Sequence, residues 1–126
     1  MKNKIKYLIF ILVSFLFINN VKANNIDKID MSIYIDSKGD AHVVEKWYAN
    51  LNEGTEGYRY YGNLGNSKII DYKVTVDDKE FEMLKSWDTN ASFEQKAYKA
   101  GIYDASDHQE LCFGISKYGK HTYILS

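Results

Sequence analysis

Proline is absent from the 126 residues, cysteine occurs once, arginine once and histidine three times. Each scarcity removes a class of explanation. Without proline there is no stiff Pro-rich linker in this stretch. With Cys112 alone there is no intramolecular disulfide and no multi-cysteine zinc site, so the fold stands on packing. Cys112 reads as a small packed strand residue, because no base stands near it to make a nucleophile. Long apolar runs are also missing. The longest, Tyr7 to Ile18, spans 12 residues and is interrupted only by Ser14. A membrane-crossing helix needs about 20.

That run has the surroundings of an export signal. Lys2, Lys4 and Lys6 precede it, and Val21-Lys22-Ala23 follows with small residues at the positions a signal peptidase reads. Residues 1–23 are therefore expected to be a signal peptide, helical in its apolar part, with cleavage before Asn24. An uncleaved anchor or a buried N-terminal helix is the alternative. The domain that remains, residues 24–126, is expected outside the cytoplasmic membrane. It is one small domain, too short for a multi-domain enzyme.

Charge divides unevenly between the two parts. The first 23 residues hold four lysines and no acid. Removing those four from the 16 basic residues leaves 12 against 17 acidic ones, a net charge of −5. Such a surface does not attract phosphate, so nucleic acid is not expected as a partner.

What the chain has in quantity is aromatic residues, with 11 tyrosines, and strict alternation. Ile29, Met31, Ile33 and Ile35 fall on one face of the segment Ile29–Asp36, which predicts a half-buried strand. Ser37-Lys38-Gly39-Asp40 is a turn, with Gly39 free to take positive φ. Ala41 to Leu51 alternates again, with Ala41, Val43, Trp47, Ala49 and Leu51 sharing a face, so the two segments predict a β-hairpin. Ile70, Tyr72, Val74 and Val76 predict a third strand. Asp77-Asp78-Lys79 is a turn that Phe81 and Met83 continue into a second hairpin. Leu111, Phe113 and Ile115 form another strand, and His121 to Ser126 a last one after the turn Lys117-Tyr118-Gly119-Lys120. Ser86 to His108 carries no clear period, apart from a short helical turn within Phe93 to Ala100. The expected fold is all-β, a small antiparallel β-sandwich of six or seven strands. The final Tyr123-Ile124-Leu125-Ser126 has no polar tail. It leads to the expectation that the chain is a fragment of a longer protein.

One residue breaks the hairpin pattern. Glu45 stands in register with Val43 and Trp47 on the apolar face. A buried carboxylate needs a partner, and Arg59 is the single arginine. Glu45 is expected either to pair with Arg59 or to reach water at the sheet rim. Arg59 itself lies in Tyr58-Arg59-Tyr60-Tyr61, inside the Gly- and Asn-rich stretch Asn52 to Ser67, read as a loop with at most one short strand. Tyr and Arg concentrate binding energy, so these four residues form the candidate binding surface. Aromatic packing over a sheet edge explains them equally well.

The order of Gly39-Asp40, Val43-Val44-Glu45, Gly57-Tyr58-Arg59, Ile70-Asp71-Tyr72-Lys73-Val74 and Gly119-Lys120-His121-Thr122-Tyr123-Ile124 resembles the extracellular N-terminal domain of a bacterial family of membrane proteins, domain of unknown function twenty-two-zero-seven. The resemblance covers nearly all of residues 26–126. It implies a signal peptide, an extracytoplasmic β-rich domain and downstream transmembrane helices with a low-complexity tail. It implies no chemistry, because that family has no established activity. The chain departs from it in Tyr60-Tyr61, where the family continues towards Ile-Pro, and in carrying no membrane segment after the signal.

No residue set points to catalysis, a metal or a cofactor. His42, His108 and His121 are far apart in sequence, and Asp77-Asp78 and Asp104 to Asp107 lack calcium-loop spacing. No Gly-x-Ser-x-Gly elbow occurs. The leading expectation is a non-catalytic ectodomain that binds a protein or a cell-envelope component. The alternative is a secreted carbohydrate-binding module using Trp47, Trp87 or a tyrosine as a stacking platform. A small secreted hydrolase ranks last.

Overall fold

The structure, a computed structural model, describes residues 23–126. The expected signal peptide lies outside the described residues except for Ala23. Two long antiparallel strands open the fold: β1 (Asn25–Ile35) and β2 (Ala41–Leu51). Their turn is held by Asp36, whose Oδ1 accepts the backbone N–H groups of Lys38 at 2.8 Å and Asp40 at 3.1 Å. β3 (Glu56–Gly62) follows, so Tyr58 to Tyr61 lie on a strand and not in a loop.

Val74–Val76 forms β4 and Lys79–Glu80 forms β5, joined by Asp77 and Asp78, both at positive φ. Such a two-residue turn matches the twist of a hairpin. The expected strand from Ile70 is shorter than its alternation suggests. Asp71 accepts the backbone N–H of Tyr72 on its own side chain, and Ile70 is exposed. Only from Lys73, which exchanges two backbone bonds with Ser126, does the segment join the sheet. The second hairpin is also shorter than expected. Phe81 turns inward, and β6 (Glu82–Met83) leaves for the other sheet, where it runs parallel to β7 (Lys99–Asp104). The sandwich is thus mixed at that one pair. The unreadable stretch contains helix α1 (Phe93–Lys96), opened by a capping box between Ser92 and Gln95. β8 (His108–Gly114) and β9 (Gly119–Leu125) complete the fold.

Two sheets result, ordered β1-β2-β9-β4-β5 and β3-β8-β7-β6. The all-β sandwich is as expected. Among the described residues its strands number nine and not six or seven: β7 lies in the stretch that shows no clear period, and the second arm of the expected hairpin divides into β5 and β6. Trp47, Tyr72, Val74, Phe81, Phe113, Tyr123 and Leu125 fill the space between the sheets. The rings of Phe113 and Tyr123 lie 5.0 Å apart at its centre. The exception is β1. Its apolar face is in register with Trp47, Glu45, Val43 and Ala41, yet Ile29, Met31, Ile33 and Ile35 remain 43–65% exposed. Among the described residues nothing buries these four side chains. Among the described residues no helix is long and apolar enough to cross a membrane.

Candidate functional site

The Tyr58–Tyr61 strand splits by face. Pairing with β8 places Arg59 opposite Leu111 and Gly57 opposite Phe113, so Gly57, Arg59 and Tyr61 face the interior. Tyr58 and Tyr60 face outward and are about half exposed (55% and 52%). The ring of Tyr60 lies 4.7 Å from the imidazole of His108. The proposed four-residue surface is therefore two exposed tyrosines backed by two inward residues.

The inward pair meets Glu45. Arg59 Nε donates to Glu45 Oε1 at 2.9 Å, and the Tyr61 hydroxyl donates to the same oxygen at 3.3 Å. Trp47 Nε1 donates to Oε2 at 2.7 Å. The carboxylate is 2% exposed and the arginine side chain 39%. The expected Glu45–Arg59 pair is present, and the alternative of a rim carboxylate reaching water is not met: the carboxylate is buried and only its cation sits at the rim. The Glu45 bond raises the pKa of Arg59. Burial, followed by the Glu45 charge, raises that of Tyr61.

A second charged cluster escaped the sequence reading. Lys96 Nζ, 2% exposed, donates to Glu56 Oε2 at 2.7 Å, Thr89 O at 2.7 Å and Thr55 Oγ1 at 3.0 Å. Trp87 Nε1 donates to the same Glu56 oxygen at 2.8 Å. Each tryptophan thus donates to a carboxylate that also holds a cation. These partners lie 31 to 41 residues apart for Trp87–Glu56 and Lys96–Thr55, beyond any local pattern. One hint existed in Gly114. A Cβ there would fall 1.8 Å from the Lys96 carbonyl oxygen, so only glycine lets α1 close down on β8.

Both tryptophans are consequently buried, Trp47 at 6% and Trp87 at 7% exposure. The expected tryptophan stacking platform is overturned: their faces are spent on packing and their N–H groups on carboxylates. Cys112 is buried as well, and burial pushes its thiol up to about 12. It is protonated near neutrality and poorly nucleophilic. The three histidines stand apart, His42 on Asp36, His108 on Asp107 and Glu110, and His121 on Asp77. Among the described residues no three His, Cys, Asp or Glu side chains gather as a metal set would.

One cavity of about 180 Å3 opens between the sheets at the β1 side. Ile26, Trp47, Leu51, Gly57, Phe113 and Ile115 line it. A Cβ on Gly57 would come within 2.4 Å of the Phe113 ring, so the missing side chain gives the ring its place there. The cavity is smaller than the roughly 300 Å3 at which small-molecule sites begin. What the surface offers is aromatic rings, a strand edge and an apolar strip. Comparison with family models, with curated proteins and with solved structures gives no match for this chain.

Proposed function

We propose that residues 24–126 form a non-catalytic extracytoplasmic binding domain that engages a protein of the cell envelope. The observation that carries this reading is the pair Tyr58 and Tyr60, half exposed and side by side on the outer face of an edge strand. Beneath them Arg59 and Tyr61 are anchored on Glu45, so the tyrosines project from a fixed backbone. Rigid aromatic side chains on such a platform contribute contact area at low entropic cost. The apolar run at Tyr7 to Ile18 behind three lysines supports export. The resemblance to the ectodomains of domain of unknown function twenty-two-zero-seven supports attachment to a bacterial membrane through a longer chain.

A photoreactive amino acid at position 58 or 60, in cells producing the chain, tests this reading. The expected result is a protease-sensitive adduct in the envelope fraction. Tyr58→Ala with Tyr60→Ala should weaken the isolated interaction at least about tenfold. Adducts to glycan alone would replace this reading with a tyrosine-based carbohydrate module. Retention of residues 1–23 on a cytoplasmic product would overturn the extracytoplasmic part.

A further inference from the structure

The two sheets differ by one strand, and the surplus lies at one side. Arg59 and Tyr61 of β3 reach Glu45 of β2, which places β3 beneath β2 at the edge of its own sheet. β1 extends past it. Ile26, Ile29, Met31, Ile33 and Ile35 pair in register with Ala49, Trp47, Glu45, Val43 and Ala41, and so share the inner face of the sheet. All five are at least 43% exposed. Lys28, Asp30 and Ser32 alternate with them on the outer part of the strand. The alternation is that of a strand with one buried face, yet nothing in the described fold buries it. At ordinary sheet and strand spacings, a strand placed about 10 Å beneath β1 and about 4.8 Å to the side of β3 would cover that face.

We infer that β1 of a second copy of the chain fills this place. A two-fold axis parallel to the strands, midway between the layers and beneath β1, carries β1 from the longer sheet into the gap of the shorter one. Each β1 then lies beside β3 of the other copy. The ladder is parallel, because Glu56 and Gly57 sit at the Ile26 and Leu51 end while Tyr61 reaches Glu45. A five-stranded sheet continues into a four-stranded one on both layers. The inner face of β1 packs on its own symmetry mate, with Ile33 opposite Ile33.

Area and edges favour this occupant. Five apolar side chains left half exposed amount to roughly 500 Å2, at the upper end for a patch on a monomer. The two strand edges bring each copy near the roughly 800 Å2 that a stable dimer buries per partner. A single foreign strand would cover the apolar strip but leave the long free edge of β1 open, the kind of edge proteins do not leave bare. The two-fold arrangement closes both. Tyr58 and Tyr60 stay on the outer face, so this inference stands or falls independently of the proposed function.

The test uses the chain expressed whole in a bacterium and purified in the form the cell leaves it. Sedimentation equilibrium should give a monomer–dimer equilibrium. Ile33→Asp should raise the dimer dissociation constant at least about 100-fold, because two carboxylates would face each other in the apolar seam. Tyr34→Asp, on the opposite face, should leave it unchanged. Ile33→Cys should be joined to its mate by a bis-maleimide about 10 Å long, and Tyr34→Cys should not. A monomer at every concentration overturns the inference. So does a dimer indifferent to Ile33→Asp, or a monomer whose Ile33→Cys thiol is shielded, since another segment would then occupy the place.

Discussion

Glu45 was conspicuous in the sequence because it interrupts an apolar alternation, and Arg59 because it has no rival. The structure joins them and adds two neutral donors: Trp47, two residues along the same strand face, and Tyr61, which no spacing announces. This fixes what Arg59→Ala should do. Breaking a fully buried ion pair costs about 3–5 kcal/mol, and breaking an exposed one about 0–1 kcal/mol. Here the carboxylate is buried, keeps two hydrogen bonds and loses a half-exposed cation. The expected loss is about 2–3 kcal/mol in urea unfolding, with Arg59→Lys recovering part of it by restoring the charge without the planar geometry. An Arg59→Ala midpoint equal to that of the parent would show that the pair contributes nothing.

Elements were legible where one strand carries its own period. β2 was legible over its whole length and β1 over all but its first four residues, because Ala41–Leu51 and Ile29–Asp36 alternate and Asp36 to Asp40 turn. β4 was overextended because alternation continues through Ile70 and Tyr72 while Asp71 diverts the backbone of Tyr72 to its own side chain. α1 lies within the helical turn expected between Phe93 and Ala100, but its docking, like β6, was obscure because the reasons lie elsewhere in the chain. The helix segment is held by Lys96 on Glu56 and by the bare backbone of Gly114. Gly114→Ala therefore tests the docking of α1. The added methyl group must push the Lys96 carbonyl away, at a cost of about 1–3 kcal/mol. Trp87, packed beneath the same segment, should become accessible to iodide quenching while Trp47 stays shielded. Equal protection of both indoles in the variant would mean the segment holds its place by other contacts.

For the whole molecule, surface carboxylates and one histidine set the pH response. Hydrogen bonds lower the pKa of Asp36, through the backbone of Lys38, and of Asp77 and Asp107, through His121 and His108. Their contribution is present above the ordinary value of 3.8 and is lost as pH falls through their folded values. The bond to Asp107 raises the pKa of His108 above 6.5, so its contribution is full below 6.5 and lost as pH rises through the folded value. Thermal unfolding should thus peak between about pH 4 and 6.5, and His108→Gln should flatten the decline on the alkaline side. An unchanged alkaline limb in that variant would assign the decline to other groups.

The order of the strands also bears on how the chain is made. β9 lies between β2 and β4, with Tyr123 opposite both Trp47 and Val76. The first hairpin is synthesised long before the strand that completes its sheet, and until β9 emerges the inner edge of β2 has no neighbour. With this wiring the first sheet is completed only once the last strand has been made. The sheet closes only by pairing β2 with that strand, Trp47 with Tyr123, and contacts over so long a separation slow folding.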